Sequence, residues 1–340
     1  MTKGKVIIFA VAAVMLSTLV TTAVIIGVDV YLHERYQKIA GLNVWGYRGP
    51  TVGHKRPNEQ RIVVLGGSTA FGYGMPPENS FPAYLERKLN NRRHQSAHGL
   101  VSVVNLAYNN EGAYSFKYTL RDYDYLGYDV ALLYTGYNDL GGPNTSVVRH
   151  ESPVFRLTGY LPILPLILKE KAMVLRYGGN LESAYWGKRT VFKPNLADRA
   201  TATALEMALG ISRSLERQLG RLSERSKLAT RERSTIGCAE RWAHYCNAIH
   251  EAVDYMLSRG KQVVVVTEPY IADHHVEQQR MMVGMLRERF GNHPRLHYVN
   301  LGRAVDLRDR TLAYDGMHLT APGNERIAES LVQPILEVLK

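Results

Sequence analysis

Cysteine is scarce in this chain. The 340 residues hold two, Cys238 and Cys246, in the stretch CAERWAHYC. That stretch reads as helix, and eight residues of helix rise about 12 Å, whereas a disulfide needs Cα atoms within about 7 Å. The pair is therefore not expected to bridge unless the helix is broken, and cysteine usage alone excludes no compartment. Internal repeats are absent, and so is any recognisable nucleic-acid-binding motif. No group of His, Cys and carboxylates has metal-ligand spacing; the nearest, Asp273, His274 and His275, reads as a solvated helix start. The sequence thus calls for no metal and no other cofactor. A formal net charge of +11 suits an anionic partner such as a phospholipid surface or an acidic glycan, with nucleic acid ranked last. Hydrophobic residues make up 45% of the chain, enough to build a full core and to exclude disorder.

Charge is also missing between Lys5 and Asp29, over VIIFAVAAVMLSTLVTTAVIIGV. This run is long enough to cross a bilayer as a helix. A cleaved signal peptide is the competing reading, but its apolar region would be roughly 7 to 15 residues long and followed by a small-x-small site. An uncleaved signal anchor is the better fit. Lys3 and Lys5 precede the run, which puts the N-terminus in the cytoplasm and the remainder outside it, although Arg35 and Lys38 pull the other way. The expected organisation is a cytoplasmic tip and anchor at 1–31, a polar connector at 32–60 and a catalytic-type domain at 61–340.

Within that domain five short runs read as strands: 61–65, 100–107, 129–136, 262–269 and 295–302. Several are continuously apolar, as strands buried on both faces are. Helical segments at 81–91, 238–260, 274–290 and 324–339 fall between or after them, and this alternation predicts a doubly wound parallel sheet. An insertion at about 141–238 interrupts the pattern. It includes the apolar LTGYLPILPLIL (157–168), broken by Pro162 and Pro165 and followed by Lys169, Lys171 and Arg176. This run reads either as an interfacial lid that gates the site or as packed protein. The insertion also holds an amphipathic helix with Leu205, Leu209, Leu215, Leu219 and Leu222 inward. Arg213, Arg217, Arg221 and Arg225 stack along one of its faces.

Three residue sets fall where an open parallel sheet binds its ligand, beyond the carboxyl ends of the strands. Ser68 follows the first strand in LGGSTAFGYG, where glycines let the chain turn sharply. Asn138 follows the third strand in YTGYNDL, where its amide could donate to an oxyanion. Asp315 and His318 precede the last helix in YDGMHLT, spaced so that the carboxylate can fix the imidazole tautomer. Each alone reads as a turn or a structural pair. Glu268, ending the fourth strand, reads as a strand terminator that could line the pocket.

Taken in order, GGST, GYND and DGMH resemble the blocks of the SGNH hydrolases, also called GDSL esterases, from about residue 43 to the C-terminus. Two departures stand out. The family's Gly-Asp-Ser is Gly66-Gly67-Ser68 here, and the second-block glycine matches Gly112 in VVNLAYNNEGAYSF, later after Asn105 than the family pattern has it. Asn109 or Asn110 could supply that turn instead. The resemblance implies a flavodoxin-like three-layer α/β/α sandwich with strand order 2-1-3-4-5, preceded by the transmembrane helix. It implies a catalytic triad of Ser68, His318 and Asp315, with the oxyanion met by the amides of Ser68 and Gly112 and by the Asn138 side chain. The expected activity is hydrolysis of an ester-linked acyl group on a lipid or surface glycan. An O-acyltransferase acting on an extracytoplasmic polysaccharide, or a non-catalytic glycan-binding module, would use the same residues.

Overall fold

The structure is a computed structural model and describes residues 2–37, 41–93, 99–168, 201 and 238–340. The described residues fall into two compact units, one holding 2–36, 152–168 and 201, the other 37, 41–93, 99–151 and 238–340.

In the first unit a single helix, α1 (Lys3–Gln37), contains the uncharged run; its mean hydropathy reaches 2.4 over an 18-residue window. Residues 6 to 28 rise about 34 Å, enough for the roughly 30 Å hydrocarbon core of a bilayer. Beyond that run Asp29 and His33 are buried. Asp29 accepts hydrogen bonds from the amides of Ile163 (3.0 Å) and Leu164 (2.6 Å) and from the Tyr160 hydroxyl. His33 Nε2 lies 2.8 Å from the Leu161 carbonyl oxygen, and its ring meets Tyr160 edge-on. Leu161 and Ile163 are buried. The 157–168 run is therefore packed and hydrogen-bonded at the end of α1, and those two side chains offer no free apolar surface to a lid. The arginine-faced helix and the basic residues after 168 lie outside the described residues.

The second unit is built on strands β1 (Gln60–Leu65), β2 (Val101–Asn105), β3 (Val130–Thr135), β4 (Gln262–Thr267) and β5 (Leu296–Asn300), all parallel in the order β2-β1-β3-β4-β5. The strand order is the expected one. Val64 pairs with Asn105, Leu65 with Leu133, Leu133 with Val265, and Thr267 with Asn300. The three central strands are the continuous Val/Ile/Leu runs because helices cover both faces of the sheet. Ile62, Val64, Leu132, Tyr134, Val264 and Val266 face one way, into a core closed by the helices Phe81–Arg93 and Ala321–Val338. Alternate residues such as Val63, Leu133 and Val265 face the other way. Helices Tyr114–Asp122, Ala243–Leu257 and Asp273–Phe290 pack with one another on the sheet's flank. Full burial of each such aliphatic side chain contributes roughly 1.5–3 kcal/mol.

Within the segment read as a polar connector, 32–60, Tyr47 and Arg48 are buried, and the Arg48 amide donates to the Asn105 carbonyl at 3.0 Å. Arg48 also holds the chain after Ser68, donating to the carbonyls of Phe71, Gly72 and Met75. Two expectations need correction. The cysteines do bridge, with Cα atoms 6.4 Å apart. Cys238 sits in a bend before a 3-10 turn at Glu240–Trp242, and the regular helix starts only at Ala243, so the expected helix is broken between the two sulfurs. Finally, His275 is no solvated helix start but is fully buried, with its ring against the edges of Tyr137 and Tyr270. Burial pushes its imidazole down to about 4, so it is neutral.

Candidate active site

Because β1 lies between β2 and β3, the loops that leave the carboxyl ends of all three meet. Ser68 opens a short helix, Ser68–Phe71, immediately after Gly66 and Gly67. Both glycines are required by close approach. A Cβ on Gly66 would lie 2.7 Å from the Tyr134 carbonyl oxygen, and one on Gly67 would lie 2.0 Å from Asn138 Nδ2. A side chain at position 67 would therefore displace the Asn138 amide from where it lies here.

The loop after β2 brings Glu111 and Gly112 to the same point. Asn110 takes a left-handed φ of 63°, so it, rather than a glycine, supplies the turn. The Glu111 carbonyl accepts from Asn138 Nδ2 at 2.8 Å, which puts Gly112 next in chain to Asn138's own partner. After β3, Gly136 has φ 155° and ψ −62°, and a Cβ there would lie 2.4 Å from His275 Nε2. This turn throws Tyr137–Asp139 into a 3-10 helix and aims Asn138 at Gly67.

From the far end of the chain, the bend before the last helix contributes Asp315 and His318. His318 Nε2 is 2.8 Å from Ser68 Oγ, across a sequence separation of 250 residues. Its Nδ1 is 2.6 Å from Asp315 Oδ2, while Asp315 Oδ1 accepts from the amides of His318 (2.7 Å) and Met317 (3.0 Å). Partial burial pushes the Asp315 carboxyl up, but the bonds from the His318 ring and amide and from the Met317 amide outweigh it, and the net shift is downward. Asp315 is therefore an anion poised to stabilise an imidazolium. The rings of Tyr73 and Tyr314 lie against His318, with centroids at 5.1 Å and 5.9 Å. Tyr73 is 50% exposed.

All five expected residues, Ser68, Gly112, Asn138, Asp315 and His318, thus come to one edge of the sheet. Sequence reasoning missed Arg48, Tyr73 and Asp139; Glu268, read as a strand terminator that could line the pocket, does line a small cavity with Gly67, Gly112 and Asn138. Among the described residues no group of three or more His, Cys, Asp or Glu is arranged to hold a metal.

At the carboxyl edge of the parallel sheet a hydroxyl, an imidazole and a carboxylate thus lie in line within hydrogen-bonding distance. No protein-family model matches the chain and no curated protein does. Among solved structures it is similar to a family 3 carbohydrate esterase from Clostridium thermocellum, with 12% identity and a TM-score of 0.43 over 83% of this chain and 98% of that one. It is similar to the esterase EstA from a Pseudoalteromonas species, with 10% identity and a TM-score of 0.43 over 82% and 98%. A protein assigned to the lipolytic G-D-S-L family from Desulfitobacterium hafniense shows 12% identity and a TM-score of 0.42 over 81% and 98%.

Proposed function

We propose that the protein is a membrane-anchored serine esterase whose catalytic unit lies outside the cytoplasm. The observation that carries the reading is the unbroken relay from Ser68 Oγ through His318 to Asp315, with links of 2.8 and 2.6 Å. In this mechanism His318 Nε2 takes the Ser68 proton as Oγ attacks the ester carbonyl carbon. The carbonyl oxygen becomes an oxyanion, met by the amides of Ser68 and Gly112 and by Asn138. One Nδ2 hydrogen of Asn138 is spent on Glu111, and the second remains for the oxyanion. Collapse breaks the bond to the alcohol, which leaves with the proton from His318, and an acyl-Ser68 ester remains. Water, deprotonated by His318, repeats the sequence and releases the acid.

The location is supported by the helix that can span a bilayer, by Lys3 and Lys5 before it, and by the Cys238–Cys246 disulfide, because such bonds persist in oxidising compartments. Tyr73 and Tyr314 favour a sugar as the alcohol. They pack on His318, the group that protonates the leaving alcohol, so a ring stacked on the exposed face of Tyr73 would present its hydroxyl there. If that sugar hydroxyl replaces water in the second half-reaction, the same centre is an O-acyltransferase. The test uses the full chain in detergent with nitrophenyl acetate and a long-chain nitrophenyl ester, with and without a glycan acceptor. Release of nitrophenol together with fluorophosphonate labelling of Ser68 supports the esterase, and an acylated glycan supports transfer. A protein that neither turns over nor labels refutes both.

A further inference from the structure

Two carboxyl groups that the reaction leaves unused sit among the oxyanion donors. Asp139 and Glu268 are 4% and 2% exposed, and they line one small cavity together with Gly67, Gly112 and Asn138. Each grips a residue adjacent in sequence to a donor. Glu268 accepts from the hydroxyl of Thr69, the residue after Ser68, and from the amide of Tyr137, the residue before Asn138, at 2.7 Å. Asp139, the residue after Asn138, accepts from the amide of Ala113, the residue after Gly112, at 2.9 Å. Its carboxylate also packs so tightly on Gly112 that a Cβ there would lie 2.6 Å from Oδ1.

These bonds join three loops from three strands. Loops from different strands stay in register only through bonds that cross between them, such as Tyr108 N–H to the Gly66 carbonyl at 3.0 Å and Asn138 Nδ2 to the Glu111 carbonyl at 2.8 Å, and the two carboxyls add side-chain acceptors to that set. A misplacement of about 1 Å in a catalytic group can cost about 100-fold in rate. Burying two carboxyl groups that no cation among the described residues offsets is also expensive, and a core selected for stability alone does better with apolar groups. Burial pushes both up to about 7. Such a cost concentrated beside Ser68 and Asn138 points to a role in the site rather than in the core.

We propose that Asp139 and Glu268 are positioning residues for the oxyanion donors, Glu268 tying the Ser68 loop to the Asn138 loop and Asp139 tying the Asn138 loop to the Gly112 loop. The role in turnover rests on the esterase reading, whereas the tying of the loops does not.

The test compares full-length Glu268→Met, which keeps the length and removes the acceptors, with Glu268→Gln, which keeps an acceptor for Tyr137. Asp139→Ala and Asp139→Asn form the matching pair. Amide hydrogen exchange is read by mass spectrometry over 66–73, 108–116 and 134–140, with β4 peptides and melting temperature reporting on the fold. Expected is faster exchange at 66–73 and 134–140 in Glu268→Met, and at 108–116 and 134–140 in Asp139→Ala, with β4 unchanged. In the same variants kcat should fall about 10- to 100-fold with KM within about threefold, and Gln or Asn should restore most of it. Unchanged exchange in the loops overturns the proposal. So does a Gln variant as defective as Met, since the carboxylates would then act through charge. Should the wild type prove inactive, the esterase reading falls, and the exchange data still decide whether the two carboxyls hold the loops.

Discussion

Replacing Asp139 by asparagine should make the protein more stable at pH 8 while leaving its stability at pH 4 nearly unchanged. Burial raises the Asp139 carboxyl from 3.8 to about 7 in the folded protein. The folded state therefore binds a proton more tightly than the unfolded chain does. The stability contributed by that proton is complete below about pH 4 and is lost as pH rises through about 7. The shift of about three pH units corresponds to about 4 kcal/mol at 1.36 kcal/mol per unit. Glu268, raised from 4.5 to about 7 by burial, adds a loss of about 3 kcal/mol over the same window. Because Asp139 itself acts on Glu268, the two losses do not simply add. The ionisable groups facing the pair are Tyr134, Tyr137 and Tyr245. All are phenols held above their ordinary value by burial and are neutral throughout, and no cation among the described residues offsets the pair. In Asp139→Asn the new side-chain amide oxygen can still accept from Ala113, so the substitution removes the charge and keeps the bond. Thermal unfolding followed by circular dichroism between pH 4 and pH 8 measures the effect. A melting temperature for Asp139→Asn that runs parallel to the wild type across that range would refute the reasoning.

Ser68→Ala should abolish esterase turnover and fluorophosphonate labelling with an unchanged melting temperature, and Asn138→Ala should lower kcat roughly 100- to 1,000-fold. A loss below about threefold for Asn138→Ala would make that residue only a turn former. Reduction of Cys238–Cys246 should cost about 2–3 kcal/mol, the chain-entropy estimate for so short a loop; identical melting with and without reductant would contradict it. Asp29→Ala should leave the amides of Ile163 and Leu164 unpartnered, at about 1–3 kcal/mol per buried group. Limited proteolysis should then cut within 157–168, and resistance equal to the wild type would show that Asp29 does not hold the segment.

Much of the architecture was legible because its causes are local. The Val-rich runs of β1, β3 and β4 read as strands buried on both faces, and the uncharged run before Asp29 read as a spanning helix, since length and hydropathy alone decide both. Ser68, Asn138, Asp315 and His318 could be singled out because strand ends in a parallel sheet are where ligands bind, and their residue types suit one chemistry. What remained hidden was decided by contacts between distant parts of the chain. Glu268 looks like any strand-ending glutamate until Thr69, 199 residues away, donates to it. Asp29 looks like a stop after an apolar helix until residues 134 and 135 positions later fold back onto it. The disulfide depended on where a helix begins, and that boundary, at Ala243, lies beside the buried Trp242 and Tyr245. Burial sets the charge state and the partner of each of these polar groups, and burial is a property of the assembled fold, so no stretch of sequence carries it alone.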